Sequence, residues 1–173
     1  KFQGGIIGGS RLNDYENLLL GGGSGFEMFG CCAPEGMRAI YTAWTNVIDR
    51  LPDSKLGLAG VYVNLSLGRE SPWGTVTSFF PNAGRLTVKA AVNDTFFLRA
   101  PHWAPHWQVR AFVGTRAIAA RWSGAYVRFD DVRPGDELTI TYPLVTFSHE
   151  VAGLWSKAPQ LHMTFQWLGN MVT

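Results

Sequence analysis

An antiparallel β-sandwich preceded by one helix is the fold class that this sequence predicts, and three observations carry the prediction. From about residue 60 the apolar residues recur with a period of two, as in Val61-Val63-Leu65-Leu67 and Leu86-Val88-Ala90. Gly, Pro and Asn clusters punctuate these runs at Ser71-Pro72, Pro81-Asn82-Ala83-Gly84, Asn93-Asp94, Ser123-Gly124 and Arg133-Pro134-Gly135-Asp136. A three-four apolar spacing occurs over residues 34–51 only. Short strands separated by tight turns describe two packed sheets.

In chain order, residues 1–30 are glycine-rich, with Gly4-Gly5, Gly8-Gly9 and Gly21-Gly22-Gly23 around short apolar runs. Such a segment has a large ordering cost and little side-chain mass to offset it, so an irregular course is expected. The helix follows. Met37, Ile40, Tyr41, Trp44, Val47, Ile48 and Leu51 share one face, Pro34 suits the first helical position, and Leu51-Pro52 ends the run. Glu35 in the first turn complements the helix dipole. Beyond it, Phe97, Trp107 to Val109, Phe112, Tyr126 to Phe129, Leu138 to Tyr142 and Leu161 to Trp167 mark further strands, nine or ten in all. The expected division is a helical remnant over residues 1–55 and a sandwich domain over 56–173.

Composition narrows the function. The 173 residues suffice for one core of good size, and 46% hydrophobic against 16% charged residues requires much of the chain to be buried. A net charge of +2 with scattered Lys and Arg does not describe a nucleic-acid binder. No apolar run is long enough to span a bilayer. The chain opens on Lys1 and closes on Thr173 directly after a strand-like run, which suggests part of a longer polypeptide.

Cys31 and Cys32 are the two cysteines, adjacent and immediately before the helix. A helix start favours thiolate over thiol, and a thiolate is both a nucleophile and a soft metal ligand. The pair is therefore a candidate for covalent catalysis, for a zinc site, or for inert packing, the usual fate of unpaired cysteine. Two sulfurs do not complete a zinc site, which takes four ligands. Neighbouring cysteines are no secreted disulfide framework, so a reducing compartment fits better. His102 and His106 stand four apart, a metal-like spacing on a helix, but Pro101 and Pro105 forbid a regular helix there. Trp103 and Trp107 could stack on a sugar or pack a corner. Asn64-Leu65-Ser66 and Asn93-Asp94-Thr95 match the glycosylation sequon.

One ordered series goes further. Gly30-Cys31-Cys32 is followed by Arg38-Ala39-Ile40-Tyr41-Thr42-Ala43-Trp44 and Gly60-Val61-Tyr62-Val63-Asn64-Leu65, then by Ser71-Pro72-Trp73, Phe97-Leu98-Arg99-Ala100-Pro101-His102-Trp103, Arg133-Pro134-Gly135-Asp136 and Gln166-Trp167-Leu168-Gly169-Asn170. The series resembles the beta-L-arabinofuranosidase family of glycoside hydrolases (family 127) and its uncharacterised relatives, over about residues 30–170. The resemblance implies a helical (α/α)6 catalytic barrel followed by a β-sandwich. It implies Cys31 as nucleophile, Cys32 as zinc ligand with both sulfurs on Zn2+, and retaining hydrolysis of a carbohydrate substrate through a glycosyl thioether. The family takes its other zinc ligands, a glutamate and a further cysteine, and its acid/base glutamate from upstream helices that have no matching position here. Its relatives carry asparagine where this chain has Glu35. The expected partner is therefore a helical barrel segment or chain, with a homo-oligomer as the other way to cover the helix. The alternative function is a non-catalytic sandwich that binds carbohydrate or packs between domains.

Overall fold

The computed structural model describes residues 32–52, 58–152, 162–169 and 171–172. Two compact units divide the chain, one of residues 1–42 and 148–166 and the other of 43–147 and 167–173.

The second unit holds two sheets. The first has the order β1-β2-β6-β10-β9, where β1 is Ile48–Leu51, β2 Gly60–Val63, β6 Asp94–Arg99, β9 Arg121–Ser123 and β10 Tyr126–Val132. The second has the order β3-β4-β5-β11-β7-β8, from Arg69–Ser71, Gly74–Ser78, Arg85–Ala90, Glu137–Thr141, Arg110–Val113 and Arg116–Ile118. Side chains alternate across each strand, so one face of each sheet is apolar. Val61, Val63, Phe96, Leu98, Val127 and Phe129 from the first sheet join Val76, Leu86, Val88, Ala111, Leu138 and Ile140 from the second in one buried cluster. The predicted sandwich is thus the fold, and its core lies between the two sheets.

The described ladders are antiparallel except that β2 runs parallel to β6, with Val61 opposite Phe96 and Val63 opposite Leu98. A parallel pair needs a crossover. Here β3, β4 and β5 supply it by passing through the other sheet. A bulge between Phe129 and Val132 bends β10, and Asp131 takes a left-handed φ of 54° there. Strand β6 is buried on both faces: Phe97, between Phe96 and Leu98, turns outward and is covered by Tyr62 stacked on it at 4.4 Å.

Fourteen strands are described, more than the nine or ten expected. The additional ones include the three-residue strands β3, β8 and β9, too short to show a period. Residues Trp107 to Val109, read as strand, instead enter a 3-10 turn, His106–Gln108, because Pro105 presets its first residue and leaves Gln108 N–H to bond the Pro105 carbonyl at 2.9 Å. Strand β2 stops at Val63, so Leu65 and Leu67 do not continue it.

The helix, α1, spans Cys32–Thr45 rather than 34–51. It starts two residues early, with Pro34 inside the first turn, where amides have no helical acceptor in any case. It ends six residues early. Carbonyls 44 to 47 would have accepted the next helical bonds, and the sandwich claims each of them. The Arg69 Nη1 donates to the Trp44 carbonyl at 2.7 Å and to that of Thr45. The Asn64 side-chain amide donates to Asn46 O at 3.1 Å, and Asn64 N–H donates to Val47 O at 2.8 Å. Released from the helix, β-branched Val47 and Ile48 are fully buried, and Ile48 pairs with Val63.

Of the first unit the described parts are residues 32–42 of α1, Ser148 onward in β12 (Thr146–Ala152), and β13 (His162–Leu168) up to Gln166. The end of β13 falls in the second unit, where Trp167 and Leu168 pair with Val172 and Met171 of β14 (Met171–Val172). No helix among the described residues is long and apolar enough to cross a membrane.

Candidate functional site

Cys32 is the first residue of α1, and Cys31 lies outside the described residues. In the first turn of α1, Glu35 pairs with Arg38 at 3.4 Å across two exposed side chains. That contact occupies the carboxylate on the helix surface. Among the described residues no three His, Cys, Asp or Glu side chains gather as a metal site would require.

The apolar stripe of α1 divides at its C-terminal end. Val47 and Ile48, beyond the helix, are fully buried, whereas Met37, Ile40, Tyr41 and Trp44 remain 62%, 58%, 67% and 47% exposed. An apolar face of that size on a helix is unusual without a partner. Within the described residues the helical part of this stripe is thus exposed, and its continuation at Val47 and Ile48 belongs to the core.

The His-Trp segment separates into unrelated contacts. His106 stacks on Trp122 at 3.7 Å with the rings 7° from parallel, while His102 meets Trp103 edge-on at 5.3 Å. Trp103 packs a corner: it tilts against Phe80 at 6.0 Å, and a Cβ added at Gly169 would come within 2.7 Å of its ring. Trp107 points to solvent, 81% exposed. Of the two tryptophans considered for sugar stacking, Trp107 alone is accessible.

Asn64, in the first sequon, is a structural residue. Its amide nitrogen donates to Asn46 O and its oxygen accepts the Tyr126 hydroxyl at 2.8 Å, so both ends of the side-chain amide hold the fold together. Burial is the main cause of the raised Tyr62 pKa on the same face, with the Tyr126 hydroxyl beside it adding to the rise and Arg128 opposing it.

One concave feature escaped the sequence. On the outer face of the second sheet lies a trough of about 410 Å³. Register aligns Thr77 with Thr87, Thr87 with Thr139, and Thr139 with Phe112, so one row of side chains crosses four strands along its floor. Threonine alternating with aliphatics is the ordinary sequence of a half-buried strand, and nothing in that pattern distinguishes a binding face.

No protein-family model and no curated protein matches the sequence. Solved structures do. A GH127 beta-L-arabinofuranosidase from Geobacillus stearothermophilus T6 matches 82% of this chain with a TM-score of 0.54 at 18% identity, over 23% of its own length. A structure described as a glycoside hydrolase matches 83% of this chain with a TM-score of 0.59 at 16% identity, over 25% of its length. The chain thus spans about a quarter of each. Its fold is that of a segment of these enzymes, in agreement with the family resemblance that the sequence carries.

Proposed function

We propose that this chain is the sandwich-bearing part of a retaining glycoside hydrolase, acting on an arabinofuranoside with Cys31 as the nucleophile. One observation carries the reading: an adjacent cysteine pair at the start of α1, in a chain whose fold matches segments of two glycoside hydrolases. The exposed stripe of Met37, Ile40, Tyr41 and Trp44 supports it, since that face suits packing against further helices of a catalytic domain. A second copy of the chain is the other occupant that would cover it.

In the reaction, the Cys31 thiolate attacks the anomeric carbon. A C–S bond forms as the glycosidic C–O bond breaks, and the departing oxygen takes a proton from a general acid outside the described residues. Water, giving a proton to the conjugate base of that acid, then displaces the sulfur as a thiolate, and the configuration is retained overall. Two thiolates suit zinc, which when bound would hold them deprotonated, and among the described residues no group of three His, Cys, Asp or Glu side chains gathers to complete such a site. Cys32 is the ligand this chain would contribute, together with Cys31.

The test is hydrolysis of p-nitrophenyl β-L-arabinofuranoside by the complete enzyme. Cys31→Ser is expected to abolish turnover, because a hydroxyl is a far weaker nucleophile at neutral pH. Cys32→Ser is expected mainly to weaken zinc retention. An electrophilic arabinofuranose mimic should add its mass to the peptide of Cys31 and not to Cys32. Full activity in Cys31→Ser would remove the nucleophile assignment. A sandwich without catalytic function would then remain, as a carbohydrate-binding or packing module.

A further inference from the structure

We infer that the trough on the outer face of the six-stranded sheet is a binding site for a short, neutral saccharide, separate from the cysteine pair. The floor is hydroxylated, and its centre is buried. Thr139 is only 8% exposed although its neighbours Leu138 and Ile140 are the ones that face the core. Its Oγ1 lies 3.0 Å from that of Thr87, in the adjacent strand. Either hydroxyl can be the donor, and the pair then keeps one further O–H and several lone pairs for a ligand.

The walls complete the chemistry that a sugar needs. Phe112 ends the threonine row and offers a ring for the C–H face of a pyranose or furanose. Phe79 and Arg85 form the opposite side, with the guanidinium carbon 3.5 Å from the ring centroid. That contact pre-orients a multiple donor toward the trough, at little entropic cost on binding. Glu137 supplies a carboxylate acceptor at the other end. Within the lining one cation, Arg85, and one anion, Glu137, offset each other, which suits an uncharged polyol. The row spans three gaps between strands, about 14 Å, and the volume falls in the usual range for small-ligand sites. Both dimensions suit a short oligosaccharide. Among the described residues no large aliphatic side chain occupies this row, as one would if the face were meant to dock a protein.

The experiment is affinity electrophoresis of the full chain through gels containing soluble arabinan or arabinoxylan, followed by calorimetry with arabino-oligosaccharides. Retardation by at least one polysaccharide is expected. Phe112→Ala should lower the association constant about tenfold or more through lost ring contact. Thr139→Val, which keeps the shape and removes the hydroxyl, should lower it about three- to tenfold. Cys31→Ser should leave retardation unchanged, so that failure here is distinguishable from failure of the catalytic reading. Absence of retardation in every gel would overturn the inference. So would retardation that neither variant changes, which would move the contact elsewhere, for example to Trp107. Concentration-dependent association without saccharide, lost in Phe112→Ala, would identify the trough as a self-contact and overturn it as well.

Discussion

Arg69→Ala tests whether the sandwich is what stops the helix. Arg69 stands in β3, at the edge of the second sheet, and its Nη1 reaches the carbonyls of Trp44 and Thr45 at the end of α1. These carbonyls form the negative pole of the helix. Hydrogen bonds from a charged donor contribute about 1.5–3 kcal/mol each when buried, but this guanidinium is partly exposed, so about 2 kcal/mol for the two together is the appropriate scale. The dipole adds about 0.3–1 kcal/mol. The Trp44 ring, 5.8 Å below the guanidinium, adds about 0.5 kcal/mol of cation–π attraction. The expected loss is therefore about 3 kcal/mol, or roughly 6–12 °C in Tm for a chain of this size.

Arg69→Lys should retain about half of the stabilisation, since an ammonium keeps the charge but not the fork. Asn64→Ala removes the donor to Asn46 O and the acceptor for Tyr126, and the two sites hold consecutive carbonyls. A double-mutant cycle should then show coupling of about 0.5 kcal/mol or more. Urea and thermal melts followed by circular dichroism measure wild type and all four variants. An Arg69→Ala variant within about 0.5 kcal/mol of wild type, the range of ordinary surface changes, would refute the helix-stop argument.

Two further stability predictions use the same assay. Tyr142→Phe should raise Tm by about 2–4 °C, because the phenol is buried, 6% exposed, and its oxygen lacks a hydrogen-bond partner of good geometry. Burial raises the Tyr142 pKa above 10.0, and the Ser66 hydroxyl only partly offsets it. The folded state therefore keeps its proton longer than the unfolded chain, so this contribution is intact below pH 10 and is lost as pH rises beyond it. The Phe variant should lose less stability than wild type between pH 9 and pH 11, and Tyr62, whose pKa is also raised, contributes to the slope that remains. Gly84→Ala should cost about 3 kcal/mol or prevent folding, since a Cβ there would land on the Tyr142 carbonyl oxygen. Gly124→Ala, at φ 59° in open space, should cost only the left-handed strain of about 1–2 kcal/mol, and equal losses at the two positions would contradict the steric reading.

What the sequence reveals depends on whether the cause is local. Leu86, Val88 and Ala90 alternate with Arg85, Thr87 and Lys89, and the strand follows from that pattern alone. The start of α1 is readable for the same reason. Its end is not, because the residues that stop it, Asn64 and Arg69, lie 18 and 24 or 25 residues downstream of the carbonyls they bind. Residues Val47 to Leu51 continue the three-four spacing and also fit a strand, and only the Ile48–Val63 ladder decides between them. The candidate site divides likewise. The cysteine pair is visible as a pair, and its chemistry is read from helix-end electrostatics and family resemblance. The threonine row becomes a site only when register sets Thr77, Thr87, Thr139 and Phe112 side by side.

The second sheet is where these arguments meet. Its edge strand β3 supplies Arg69 to the end of α1, and its central strands β4, β5, β11 and β7 form the saccharide trough. Fourteen residues at 1.5 Å each place the other end of α1 about 20 Å along the helix from the carbonyls that Arg69 holds. On the proposed reading, a substitution at Arg69 is expected to reach the cysteine pair only through the order of the helix, and one in the trough to change polymer capture. In kinetic terms, Phe112→Ala should raise KM for a polysaccharide while leaving hydrolysis of a small aryl glycoside unchanged. Cys31→Ser should abolish hydrolysis of both and leave capture intact. Opposite losses from these two variants would establish binding and bond cleavage as separate functions of one chain, each tied to a different consequence of how its strands and helix are terminated.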